Sequence, residues 1–258
     1  MPKMINTSIQ KSYTGILHQF PEVDFARGIA VIMMVVFHFM WDLSYFNGTS
    51  PYFLYDGFWG FFQNITGGLF LFLVGLSLTF SYSKSRDGYF VKFMAKGFRI
   101  FCYGLIITIL SYFFADRRVV FFGILHFIGI SIMISAFFIR EKYLNLILGI
   151  GILTTVFWLD KIKLEFPWLV WVWRNYAVNT LDLYPLFPWL GVVFLGIFAG
   201  HIFYPEGKSI FEITLRRFFL RISEISRPVE FLGRNSLLLY FLHLPIAFLA
   251  AYLFVNFS

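Results

Sequence analysis

Long apolar runs decide what this chain can fold into. Seven stretches, roughly residues 27–46, 58–81, 96–115, 119–139, 143–159, 185–204 and 235–257, approach or reach the ~20 residues that a helix needs to cross a bilayer. The run at 143–159 is the short one. Only 14% of the 258 residues are charged and 59% are hydrophobic. A soluble domain of this size runs near a quarter charged, so a water-soluble fold is excluded. Inside lipid each segment must satisfy its own backbone N–H and C=O groups, which makes the runs helices. The expectation is an all-α, polytopic transmembrane helix bundle of about seven spans. No Gly/Ser linker, low-complexity tract or internal repeat interrupts it. Residues 1–258 are therefore expected to be a single integral membrane domain. Residues 1–22 are read as an N-terminal cytoplasmic segment, without the apolar core of a cleaved signal peptide.

The basic residues orient this bundle. With the N-terminus inside, the outer segments carry only Arg117, Arg118, Lys161, Lys163 and Arg174 of the 21 Lys and Arg. The rest, beginning with Lys3, Lys11 and Arg27, fall inside, which fits the positive-inside rule and sets the C-terminus outside. The net charge of +7 then reflects topology, and nucleic acid is not expected as a partner. Cys102 is the single cysteine. It excludes an intrachain disulfide and a thiolate cage, and no metal is expected. Residues 166–173 are aromatic but too short to span, and read as an interfacial or re-entrant piece.

One face of the first span breaks the apolar pattern. Asp24, Arg27, His38 and Asp42 fall within an arc of about 60° at 100° per residue. His38 lies eleven residues beyond Arg27, about 16 Å deeper along a helix, near the bilayer midplane. An imidazole there is costly to bury without a polar partner. Asp42, one turn further, is expected to hold an N–H of His38, fix its tautomer and raise the basicity of the other nitrogen. Asp24 is expected to position Arg27. Such a stripe also serves to lock helices together, but an acid, a base and an imidazole in one row weigh toward chemistry.

Other polar groups in the spans are fewer. His126 lies in the fourth span, and His243 in the seventh on the face of Ser236 and Tyr240. Either suits a shared cavity with His38 or a helix–helix hydrogen bond. His18 reads as exposed and His201 as interfacial. Gly67, Gly68 and Gly75 permit close helix approach. Pro185 and Pro188 shape the entry to the sixth span, and Asp182 before them reads as a solvated loop acid. The basic segments 84–99 and 216–234 read as inner loops. They obey the positive-inside rule and also suit an anionic ligand such as the phosphates of a coenzyme. Neither holds a P-loop or Gly-x-Gly-x-x-Gly pattern, so nucleotide hydrolysis is unsupported.

The opening Val23-Asp24-Phe25-Ala26-Arg27-Gly28-Ile29-Ala30, with His38 following in Phe37-His38-Phe39, resembles the start of multi-pass membrane acyltransferases. The Arg with a His eleven residues later resembles the acyltransferase type 3 signature. Three further segments resemble small prokaryotic members of the heparan-alpha-glucosaminide N-acetyltransferase catalytic-domain family: Gly68-Leu69-Phe70-Leu71-Phe72-Leu73-Val74-Gly75, Phe122-Gly123-Ile124-Leu125-His126-Phe127-Ile128-Gly129, and the stretch from Gly233-Arg234-Asn235-Ser236 to His243. The resemblance implies a cell-membrane enzyme that moves an acyl group, acetyl in the simplest case, from cytosolic acyl-CoA to an acceptor on the far side. Acetyl-CoA or another acyl-CoA is the implied donor, and a glycan or a small amine or hydroxyl compound the acceptor. Animal lysosomal members resemble the chain with a departure: they carry Asn at the place of His38 and a reactive His in the loop after the first span. Residues 47–57 contain no His, so His38 is the natural substitute.

On this reading His38 is general base or nucleophile, with Asp42, Arg27, Asp24 and His126 completing the catalytic set. Arg27, Arg99, Arg234, Asn235 and His243 are the expected residues for the acyl-CoA. A proton-coupled small-molecule transporter is the alternative, since buried His and Asp suit proton relays. A scaffold whose stripe only assembles helices is a third reading. The oligomeric state, a homodimer included, stays open.

Overall fold

The computed structural model describes residues 20–114, 119–159, 161, 169–173 and 180–257. Lys3, Lys11, His18, Arg117, Arg118, Lys163, Arg174 and residues 166–168 lie outside these. Every regular element among the described residues is helical. In chain order they are α1 (Pro21–Phe46), a 3-10 turn (Pro51–Tyr55), α2 (Gly57–Lys84), α3 (Tyr89–Phe114), α4 (Ile124–Phe138), α5 (Lys142–Thr154), α6 (Val156–Leu159), α7 (Leu186–Phe203), a second 3-10 turn (Pro205–Gly207), α8 (Glu212–Arg221), α9 (Ser223–Arg234) and α10 (Ser236–Phe257).

Six of these stretches are long and apolar enough to cross a membrane, counting Lys142–Leu159 as one. The protein is an all-α polytopic membrane protein. The expected fourth span is the exception. Its apolar run covers 119–139, but α4 has 15 residues, about 22 Å of rise against a hydrocarbon core of about 30 Å. Side-chain hydrogen bonds hold the preceding residues off the helix. Val120 N–H donates to Ser111 Oγ at 3.0 Å, and Thr180 Oγ1 donates to Val119 O at 2.8 Å.

The two basic segments are also not loops. After a short turn at 85–88, residues 89–99 form the first turns of α3, with Lys92, Lys96 and Arg99 exposed. Residues 212–234 form α8 and α9. A run of Arg hides these helices in the sequence, because charged residues on one face outnumber the narrow apolar stripe on the other.

The chain divides into two compact units. The first comprises residues 1–66 and 211–258, and the second 67–210. In the first, α1 packs along both α9 and α10. α9 runs antiparallel to α1, with Gly28 facing the Val229 backbone and Gly233 facing Asp24. A Cβ at Gly233 would stand 2.8 Å from Gly28 N, so only paired glycines allow the two backbones to touch. The chain reverses at Asn235, and α10 then follows α1 in parallel. Its buried face is His243, Ala247 and Ala251, one turn apart each, with small side chains that let the helices close. Phe46 meets Phe248 and Tyr252 at 4.9 and 5.6 Å. The 3-10 turn folds back to bury Leu54 fully and bring Tyr55 to Phe37.

In the second unit α3 packs on α4 and α5 on α7. Glycine again sets the spacing, since a Cβ at Gly97 would lie 2.6 Å from Gly129 O. Leu71, Phe93, Phe127, Ile132, Phe194 and Ile197 form the core. Leu105, Ile109 and Phe113 on α3 and Leu238, Leu242 and Leu249 on α10 point outward, as lipid-facing positions do.

Candidate active site

The side chains of a helix lean toward its N-terminus, and this lean organises the site. Arg27 reaches back to Asp24, with Nη1 3.1 Å from Oδ1. The expected Asp24–Arg27 pair is formed. His38 reaches back in the same direction, and its Nδ1 lies 2.8 Å from Met34 O. The expected bond from Asp42 to His38 is not formed. Asp42 sits one turn C-terminal of His38, on the side from which the ring leans away. It is 8% exposed, and its Oδ2 has no hydrogen-bond partner.

On α10, His243 repeats the geometry of His38. Its Nδ1 lies 2.6 Å from Tyr240 O. A carbonyl oxygen only accepts, so each ring carries its proton on Nδ1. In the neutral tautomer both rings therefore present an unprotonated Nε2. The two rings meet edge to face, with centroids 4.7 Å apart and planes at 79°. His243 is 4% exposed, and its Nε2 is buried without a hydrogen-bond partner. His38 is more open and partly exposed. The site thus contains two adjacent imidazoles, each oriented by its own helix and each with a spare basic nitrogen. A lone pair so placed can take a proton or attack an acyl carbon.

Asn235 and Arg234 follow Gly233, which packs on Asp24, so they stand by the first turn of α1. Asn235 Nδ2 donates to Phe231 O at 2.8 Å, and Arg234 is exposed. His243, expected with them as a donor-binding group, lies at the level of His38 instead. Arg99 and His126 belong to the second unit. Arg99 is exposed. His126 is 2% exposed, flanked by Phe101 at 5.3 Å and Phe122 at 5.8 Å. Its Nε2 is 3.3 Å from Thr108 Oγ1, whose own proton goes to Val120 O at 2.7 Å. His201 Nε2 donates to Ile139 O at 2.7 Å, inside its unit.

Asp182 is not a solvated loop acid. Its Oδ2 accepts from Ile124 N–H at 2.9 Å, at the first turn of α4. Burial pushes its carboxyl up to about 6, with the N–H bonds of Ile124 and Leu183 pulling the other way.

Sequence reading missed Ser226 and Glu230. Both are buried on α9, and Ser226 Oγ has no hydrogen-bond partner. Ser226, Glu230 and Gly233 follow an i, i+4, i+7 pattern, a signal that the neighbouring Arg residues masked.

A family model described as "Heparan-alpha-glucosaminide N-acetyltransferase, catalytic" matches residues 19–245. That span contains both imidazoles and the Asp24–Arg27 pair. No curated protein matches the chain, and no solved structure does. An integral membrane protein whose sequence fits this model over most of its length carries membrane acetyltransferase character, and the chain belongs to the heparan-alpha-glucosaminide N-acetyltransferase catalytic family.

Proposed function

We propose that the protein moves an acetyl group from cytosolic acetyl-CoA to a hydroxyl or amine of a glycan or small acceptor at the outer face of the cell membrane. The observation that carries this reading is His38: Nδ1–H is committed to Met34 O at 2.8 Å, which leaves Nε2 as a fixed, unprotonated nitrogen about 16 Å along α1 from Arg27. The N-terminus is taken as cytoplasmic and the C-terminus as outer. Arg27, Arg234 and Asn235, gathered at the first turn of α1, face the anionic donor from the cytoplasmic side. The thioester then reaches His38 at membrane depth, and its acyl group leaves toward the acceptor.

Acyl transfer needs a nucleophile or base at the carbonyl carbon, and His38 Nε2 supplies it. The test is purified protein in nanodiscs with radiolabelled acetyl-CoA. Wild type should release CoA thiol and pass label to added sugars, and His38→Ala should do neither while keeping its melting temperature. Proton flux into proteoliposomes without thiol release would replace this reading with a carrier. Undiminished transfer by His38→Ala would remove it.

A further inference from the structure

We propose that His243 is a second catalytic residue, the base that discharges an acyl group from His38. This rests on the acyl-transfer reading above. Three observations carry it. The rings of His38 and His243 are neighbours, 4.7 Å between centroids. Each has its Nδ1 on a carbonyl of its own helix, at 2.8 and 2.6 Å. And His243 Nε2 is a buried acceptor with no partner. A buried polar atom without a hydrogen bond costs about 1–3 kcal/mol, and a histidine kept only for packing is replaced by Phe or Leu without that cost.

The two rings differ in one respect that divides the labour. His38 is partly exposed, whereas His243 is 4% exposed. An acyl carbon needs room around the nitrogen that it bonds, and a proton needs almost none. His38 is therefore the acyl carrier and His243 the proton acceptor.

In the first step the His38 Nε2 lone pair bonds the carbonyl carbon of the acyl-CoA. The C–S bond breaks, and its electron pair leaves with sulfur as the CoA thiolate. The acylated ring keeps its Nδ1–H on Met34 O and carries one positive charge. In the second step the acceptor O–H or N–H attacks the acyl carbon. Its proton passes to His243 Nε2, the C–Nε2 bond breaks, and the electron pair returns to His38. His243 then yields its proton to the CoA thiolate. The sum is acyl-CoA plus acceptor to acylated acceptor plus CoA thiol, with both rings restored.

The experiment separates loading from discharge. His243→Gln and His243→Ala, in the full chain, are given one equivalent of [14C]acetyl-CoA, and label on the protein is followed. Discharge is read with two probes, water and hydroxylamine. Water is a weak nucleophile that needs a base, whereas hydroxylamine attacks an acylimidazole without one. Both variants should load one label per chain, lose it to water about a hundredfold more slowly than wild type, and lose it to hydroxylamine at the wild-type rate. Imidazole added to His243→Ala should restore the loss to water. A merely structural role would slow both probes together or neither. The proposal is overturned if water discharges the variants at the wild-type rate, if both probes slow alike, or if the variants keep their wild-type melt yet never load. Wild type that releases no CoA thiol at all sinks the acyl-transfer reading itself, a failure visible before any variant is made.

Discussion

His126 in one unit and the His38–His243 pair in the other are all histidines on apolar helices, yet their surroundings use them differently. His126 lies between Phe101 and Phe122, and its Nε2 meets a threonine oxygen whose proton is already engaged by Val120 O. That ring is part of a packed, hydrogen-bonded core. His38 and His243 spend Nδ1 on local carbonyls and leave Nε2 to each other's neighbourhood. What separates them is the partner of the bonded nitrogen: a threonine hydroxyl on the neighbouring helix for His126, and a carbonyl of its own helix for His38 and for His243. The buried, unpartnered Nε2 of His243 has a cost.

The contrast breaks most sharply at His38. His38→Ala should lower acetyl transfer on the order of a thousandfold, the upper part of what a positioned acid–base or nucleophilic group supplies, with little change in thermal midpoint. Activity of each purified variant against acetyl-CoA measures it. Equal losses from His38→Ala and His126→Ala would erase the distinction between the units.

Next in size is the helix contact that holds the pair. Gly233→Val would drive a side chain into the Asp24 and Gly28 backbone, costing about 3 kcal/mol or more by overpacking. A lowered detergent-resistant melting temperature, accompanied by loss of acetyl transfer, is expected. A variant that melts normally would show that α1 and α9 do not touch at these glycines.

His126→Phe should behave as a packing change. Loss of its bond to Thr108 costs about 1 kcal/mol. Acetyl transfer should stay within about threefold of wild type, far short of the loss that follows removal of a positioned base. Thermal melts and initial rates on one preparation give both numbers.

The smallest effect is the pH response of Asp182. Its carboxyl in the folded protein titrates near 6, raised by burial from 3.8. A raised acid contributes stability that is fully present below its unfolded value and lost as pH rises through the folded value. On going from pH 7 to pH 4.5, wild type should therefore gain a few degrees of thermal midpoint relative to Asp182→Asn. A constant difference across that window would place Asp182 in water and not at the start of α4.

Much of this was readable in one dimension. The spans follow from apolar runs, and the Asp24–Arg27 pair from i, i+3 spacing on one helix face. The same spacing argument failed for Asp42, because stripe position on a helical wheel ignores the N-terminal lean of side chains. The apolar run failed for the start of α4, where hydrogen bonds with Ser111 and Thr180 hold Val120 and Val119 off the helix and Asp182 accepts from its first N–H. α8 and α9 were hidden because their charge resembles that of an inner loop.

By itself the sequence determined that this protein lives in a membrane, where most of its apolar spans run and that His38 shares a face of the first of them with an Asp24–Arg27 pair. Those properties depend on residues within one helix of each other. That His243 is the partner of His38, and that both leave Nε2 bare, was decided only by tertiary structure. The two rings come from helices at opposite ends of the chain, and it is the Gly28–Gly233 contact and the chain reversal at Asn235 that lay α10 along α1.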